Sequence, residues 1–179
     1  YCSPELLAHI IYEKFCKAVP LHRQEKDFKS KGVPLLKATM SNWACYAAEK
    51  WCALIVQNMK ERLLSEKIIH ADETVFQVLH EEGRKATTDS RMWVYCKGKI
   101  NDRSNIIFDY HLTRKSENAV RFLGEFDGFL VCDGYAAYNA LKKAKRCGCL
   151  THVRRYWVNA LPREKSAYET SAAAKGVDF

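Results

Sequence analysis

The chain lacks any apolar run long enough to cross a membrane. Its longest, Trp51 to Val56, falls far short of the roughly 20 residues a spanning helix needs. It lacks a basic segment followed by an apolar one at its start, so no secretion signal is read there. Glycine and proline are sparse, 8 and 4 in 179 residues, which excludes a low-complexity chain. At 47% hydrophobic it is also too apolar to be disordered. It does not begin with Met; Tyr1 opens it, and the expectation is a piece of a longer protein. The length accommodates one globular domain with a full core and a helical appendage, not two large domains.

Acidic residues are the scarcer sign, 21 against 29 Lys and Arg. The excess is uneven: +3 over residues 1–66, −1 over 67–133 and +6 over 134–179. A near-neutral middle between basic flanks suits a polyanion-binding protein with its chemistry at the centre. Several of the eight cysteines fall among Ala, Val and Leu. They read as small hydrophobes in a reducing compartment rather than a disulfide framework, so the expected location is the cytoplasm, with no membrane partner.

Residues 1–66 carry helical patterns. Ser3-Pro4 is a helix start, and Leu7, Ile11, Phe15 and Ala18 recur at helical spacing until Pro20. A basic stretch, His22 to Lys31, ends at Gly32. After Ser41, a stripe of Ala44, Ala48, Trp51, Ile55, Met59 and Leu63 predicts a long amphipathic helix. Residues 22–56 fit either a helix-turn-helix, with Lys26, Lys29, Lys31 and Lys37 toward DNA phosphates, or a plain helical bundle.

From residue 67 the period changes. Strands are expected over 67–71, 75–81, 92–96 and 106–110, with turns at Gly83 and 98–105. A helix follows over 116–125, then the wholly apolar strand 129–132, a short helix 134–141, a strand 146–150 and a helix 151–161. The tail after Pro162 reads as loose. The expected class is α/β, a ribonuclease-H-like mixed sheet with flanking helices behind an all-helical N-terminal region. The divisions are 1–66, an incomplete catalytic core at 67–162, and the tail 163–179. A right-handed crossover would lay strand 129–132 beside strand 67–71.

That topology singles out two carboxylates. Asp72 is expected at the end of the first strand and Asp133 at the end of the buried one. Neighbouring parallel strands would bring both to one sheet edge, where they repel unless a cation lies between them. Mg²⁺ accepts such ligands, and a pair of ions supports in-line displacement at phosphorus. Taken singly, each Asp reads first as a turn residue; it is the pair, at the ends of strands the topology makes adjacent, that points to a site. Cys149-x-x-His152, with Cys147 nearby, holds zinc-type donors but lacks a fourth at matching spacing. Arg154 and Arg155 fit either a phosphate grip or a solvated helix face. Tyr135 and Tyr138 fit either stacking on an unpaired base or core packing.

The motif blocks carry a resemblance. They are Ala71-Asp72-Glu73-Thr74, Arg91-Met92-Trp93-Val94-Tyr95, Phe108-Asp109-Tyr110, Asp133-Gly134-Tyr135-Ala136-Ala137-Tyr138 and Gly148-Cys149-Leu150-Thr151-His152-Val153-Arg154-Arg155. Upstream stand Pro20-Leu21-His22-Arg23-Gln24-Glu25, Gly32 and Trp43. In this order they resemble the DDE transposases of bacterial insertion sequences, most closely the insertion-sequence-66 family. The resemblance implies metal-dependent DNA strand cleavage and strand transfer. It implies Mg²⁺ or Mn²⁺ at a two-metal site, and DNA ends and target DNA as partners. A homo-oligomer assembled on those ends and a nucleoid-associated location when DNA-bound are also implied. Asp72 and Asp133 become the first two catalytic carboxylates, and His152 is placed near them. The family's third carboxylate is a Glu in an Asn-Asn-x-x-Glu setting. These 179 residues contain no such segment, and Glu164 and Glu169 lack the pattern. Leu150 and Tyr156-Trp157 replace the family's usual Trp and Lys-Phe. The alternative is therefore a catalytically inactive, DNA-binding remnant; a ribonuclease-H-like nuclease unrelated to transposition is a third possibility. In the family the helix that bears the third acid also packs on the sheet, and without it one sheet face is expected to be partly bare.

Overall fold

The computed structural model describes residues 2–98, 105–164, 167–168 and 170–178. Most of the turn expected over 98–105, and Glu169, lie outside the described residues. The chain divides into two compact units, residues 1–58 and 59–179. The division falls within a helix, ahead of the boundary read from the sequence at 66.

The first unit is helical. Helix α1 (Pro4–Phe15) starts where expected: Leu6 N–H donates to Ser3 Oγ at 3.2 Å, and proline occupies the first turn. Helix α2 (Leu21–Ser30) is tied to α1 by Gln24, a buried amide that donates to the carbonyls of Ile10 and Val19. Gly32, at φ +80°, ends α2 in the left-handed conformation that glycine adopts without strain. Helix α3 (Lys37–Ala47) begins four residues earlier than the expected Ser41. It passes through a single π-turn, Ala48–Cys52, into α4 (Ala53–Leu64).

That π-turn corrects the expected stripe. One inserted residue shifts every later side chain around the axis. Met40, Ala47 and Leu63 are buried, whereas Trp51 and Ile55 are exposed.

The second unit is a five-stranded mixed sheet. Its strands are β1 (Ile68–Gln77), β2 (Asp89–Lys97), β3 (Ile106–His111), β4 (Phe129–Cys132) and β5 (Lys145–Gly148), in the order β3-β2-β1-β4-β5. β1–β2 and β2–β3 are antiparallel; β1–β4 and β4–β5 are parallel. The crossover from β3 to β4 carries helix α5 (Ser116–Leu123) and does place β4 beside β1. The two strands expected at 67–71 and 75–81 are one. Asp72, Glu73 and Thr74 continue the ladder against Val94, Trp93 and Met92, so the polar triplet does not interrupt pairing.

Alternation divides the sheet into unlike faces. Ile69, Ala71, Trp93, Tyr95, Ile107, Leu130 and Cys132 are buried, packed with Ala119, Phe122 and Leu123 of α5, Phe126, Tyr138 and Leu63. Tyr95 stacks flat on Phe122 with ring centres 3.8 Å apart. On the opposite face Ile68, Ile106, Phe108, Tyr110 and Phe129 are exposed, Phe108 at 66%.

Beyond β4 the chain makes a 3-10 turn, Ala136–Ala140, rather than a helix starting at 134. Tyr135 precedes it in extended conformation. Helix α6 (Leu150–Asn159) follows β5 directly. The tail is not loose throughout. Helix α7 (Ala172–Asp178) buries Ala173 and Ala174 and approaches Trp157 so closely that a Cβ on Gly176 would lie 2.4 Å from the indole. The cysteines also differ from expectation. All eight are free, but only Cys132 is buried, and Cys16 and Cys45 are exposed.

Candidate functional site

The site is built around the exit of β1 and β4. Their last parallel pair is His70↔Val131. Asp72 and Asp133 each follow two residues later, so they stand at matching positions on neighbouring strands, which run about 4.8 Å apart. Asp72 is not at a strand end, as expected from sequence, but within β1, where the strand outruns β4. Asp133 does follow the last residue of β4.

Asp72 alternates onto the open face and its side chain is 61% exposed. Its Oδ1 accepts the Glu73 backbone N–H at 2.9 Å, and its Oδ2 lies 3.9 Å from Nε2 of His152 on α6. Asp133 is more enclosed. Its Oδ1 accepts the Tyr135 N–H at 2.9 Å, its Oδ2 lies 4.0 Å from Nη2 of Arg114, and its backbone carbonyl accepts from Arg146. An open cleft of about 300 Å³ adjoins it, lined in part by Arg146, Cys147, Cys149, His152 and Tyr156.

Glu73 has the opposite fate from its neighbour. It alternates into the core opposite Trp93, and its side chain has no exposure. A buried carboxylate is costly unless every lone pair finds a partner. Here Oε1 accepts from Nε of Arg114 at 2.7 Å and from its Nη2, and Oε2 accepts from the Tyr138 hydroxyl at 2.8 Å. The Arg114 guanidinium lies 3.6 Å from the centre of the Tyr135 ring, and the Tyr135 hydroxyl donates back to the Arg114 carbonyl at 2.5 Å. Burial lowers and the Glu73 carboxylate raises the Arg114 pKa, for a net rise. Neither Glu73 nor Arg114 was singled out as a site residue from sequence. Arg114 lies in no motif block, and the only hint was a Glu beside Asp72 in a strand otherwise apolar on that face.

The other expected residues are dispersed. Tyr138 is core. Tyr135 is half-buried with one ring face covered by Arg114. Arg154 and Arg155 are exposed on α6. Lys26, Lys29 and Lys31 are exposed in the first unit, with Lys31 paired to Asp27 at 2.7 Å. Burial pushes the Cys149 thiol up. Hydrogen bonds from the His152 side chain and from the His152 and Thr151 backbone outweigh that, and the thiol sits below its ordinary value. Among the described residues no group of three His, Cys, Asp or Glu is arranged to hold a metal, which leaves the Cys147/Cys149/His152 zinc reading without a site.

The profile of the "Transposase IS66 family" matches residues 1–178. The chain belongs to this family. Three curated relatives come from Sinorhizobium fredii (strain NBRC 101917 / NGR234). "Uncharacterized protein y4jD" is 29% identical over 171 residues, covering 87% of this chain and 33% of the relative. "Uncharacterized protein y4qI" is 28% identical over 170 residues, covering 86% and 31%. "Uncharacterized protein y4hP" is 23% identical over 191 residues, covering 99% and 33%. The chain thus spans about a third of the length of the relatives it matches. No solved structure matches it. Among the described residues no helix is long and apolar enough to cross a membrane.

For a member of the IS66 transposase family the donor chemistry is informative. Two carboxylates are hard oxygen ligands, suited to Mg²⁺ or Mn²⁺ rather than to a thiophilic ion. They fit such an ion as a partial ligand set.

Proposed function

We propose that this chain is part of a DDE transposase with a ribonuclease-H-like core, acting on DNA ends and target DNA by metal-dependent strand cleavage and strand transfer. The carrying observation is the matched placement of Asp72 and Asp133, two residues beyond the last β1–β4 pair.

Asp72 and Asp133 would hold Mg²⁺ or Mn²⁺. When bound, the ion neutralises charge on the phosphodiester and polarises the attacking oxygen. The chain's own residues do the positioning. Asp72 stands exposed where a strand of DNA can approach it. Asp133 is oriented by the Tyr135 N–H. His152, 3.9 Å from Asp72, is placed to touch a phosphate oxygen beside it. Arg154 and Arg155 on α6 would present guanidinium forks to the DNA backbone, and Tyr135 would stack on an unpaired base. Lys26, Lys29 and Lys31 add sequence-independent attraction in the helical unit, where α2 and α3 would serve as a helix-turn-helix. Assembly on paired DNA ends would make the active form a homo-oligomer, in the bacterial cytoplasm and at the nucleoid when DNA-bound.

A second reading is an inactive DNA-binding remnant, with the basic flanks supplying the attraction to DNA. Incubating the intact protein with DNA carrying the element's terminal repeats separates the two. The first reading expects divalent-dependent nicking at the repeat, abolished by Asp72→Asn and by Asp133→Asn. Salt-sensitive binding with no nicking supports the remnant, and nicking unaffected by either substitution refutes both assignments.

A further inference from the structure

Arg114 stands between two carboxylates, hydrogen-bonded to Glu73 and in a longer ion pair with Asp133. Glu73 takes two of its donors, Nε and Nη2, on a single oxygen, while Oδ2 of Asp133 stays 4.0 Å away, outside hydrogen-bond distance. Tyr138 holds the far oxygen of Glu73, and Tyr135 supports the guanidinium plane from beneath. The Glu73 carboxylate is wholly buried opposite Trp93 while the Arg114 side chain is 39% exposed; a carboxylate taken out of water adds little to stability compared with an apolar residue, so its presence there calls for another role. The same guanidinium, if free, would form a fork-to-fork pair with Asp133 and occupy the oxygen that a cation needs.

We propose that Glu73 is a positioning residue that tethers Arg114 away from Asp133 and so keeps the outer carboxylate oxygen of Asp133 available to a divalent cation. The inference rests on the reading of Asp133 as a cation ligand. Tyr138 belongs to the same device, because its hydroxyl fixes the Glu73 carboxylate from the side opposite Arg114. Strand alternation turns Asp72 outward as a ligand and Glu73 inward, where it restrains a positive charge beside the second ligand.

The test is Mn²⁺ binding to the intact chain, read by electron paramagnetic resonance, with melting temperature recorded for each variant. Glu73→Gln removes the negative charge but not the bulk. Arg114 then closes on Asp133, and Mn²⁺ affinity is expected to fall about tenfold, the equivalent of one displaced hydrogen-bonded ion contact. The double variant Glu73→Gln/Arg114→Gln removes the competitor, and affinity is expected to return to near that of the unaltered chain although the pair is gone. A merely structural role predicts the reverse order, with the double variant no better than the single. Unchanged affinity in Glu73→Gln, or no recovery in the double variant, overturns the proposal. If Glu73→Gln does not fold, the Arg114 Nε resonance of the unaltered chain decides. The tether expects it unmoved on adding Mg²⁺, and a signal released into solvent exchange overturns it. An unaltered chain that takes up no Mn²⁺ refutes the cation-ligand reading itself. The position of Arg114 in a crystal of Glu73→Gln then decides the tether: contact with Asp133 supports it, and an unmoved side chain refutes it.

Discussion

Tyr138→Phe isolates the energetic weight of the buried network. The ring is fully buried, edge-on to Trp93 at 5.8 Å and to Tyr135 at 6.3 Å, and phenylalanine fills the same volume. Only the hydroxyl is lost, and with it the 2.8 Å bond to Oε2 of Glu73. That oxygen is inside the core, so no water replaces the donor. Hydrogen bonds to charged groups contribute about 1.5–3 kcal/mol, and leaving a buried charged acceptor unpaired adds to the loss. The expected destabilisation is therefore about 2–3 kcal/mol. Tyr135→Phe is the internal control. It removes a bond to a neutral, partly exposed carbonyl of Arg114, for which about 0.5–1.5 kcal/mol is expected. Urea unfolding of the chain followed by tryptophan fluorescence measures both, with an unchanged m-value showing that the comparison is of stability. A loss below about 0.5 kcal/mol for Tyr138→Phe, or one smaller than for Tyr135→Phe, would refute the view that Glu73 is a buried, charged acceptor.

Three further outcomes are expected. Gly176→Ala drives a Cβ against the Trp157 indole, so α7 lifts from α6; hydrogen exchange over 172–178 should rise, with a cost of about 1–3 kcal/mol. Ala18→Gly relieves a left-handed backbone at φ +55° and should stabilise the helical unit by about 0.5–1 kcal/mol in urea unfolding. The Cys149 thiol, held low by His152 and Thr151, keeps its thiolate to lower pH than Cys96, which burial raises. Iodoacetamide labelling read by peptide mass should therefore persist at Cys149 to more acidic pH, and His152→Ala should move its profile upward.

How much was legible in the sequence depended on whether a feature was local. Strand β4 was readable from four consecutive apolar residues, and its placement beside β1 from the handedness of crossovers. The start of α1 was readable from Ser3-Pro4 because capping is a contact between near neighbours. The break expected at Asp72-Glu73-Thr74 failed because these polar residues pair in the ladder against Val94, Trp93 and Met92. Glu73 is accommodated in a strand only by Arg114 and Tyr138, 41 and 65 residues away, and such partners leave no trace in a local pattern. The helical stripe through Trp51 and Ile55 failed at a π-turn, whose extra residue cannot be recognised from hydrophobic spacing. Helix α7 escaped notice because its short Ala-rich segment has little intrinsic stability and depends on the indole it covers. The matched placement of Asp72 and Asp133 on neighbouring strands was legible from strand endings and topology, although Asp72 lies inside its strand.

The most direct measurement is anomalous scattering from crystals of the chain soaked in Mn²⁺. A peak bridging the carboxylates of Asp72 and Asp133, lost in Asp133→Asn, is the predicted result. A peak on neither residue, or one at Asp72 that persists unchanged when Asp133 is replaced, would contradict a shared ion at the end of β4.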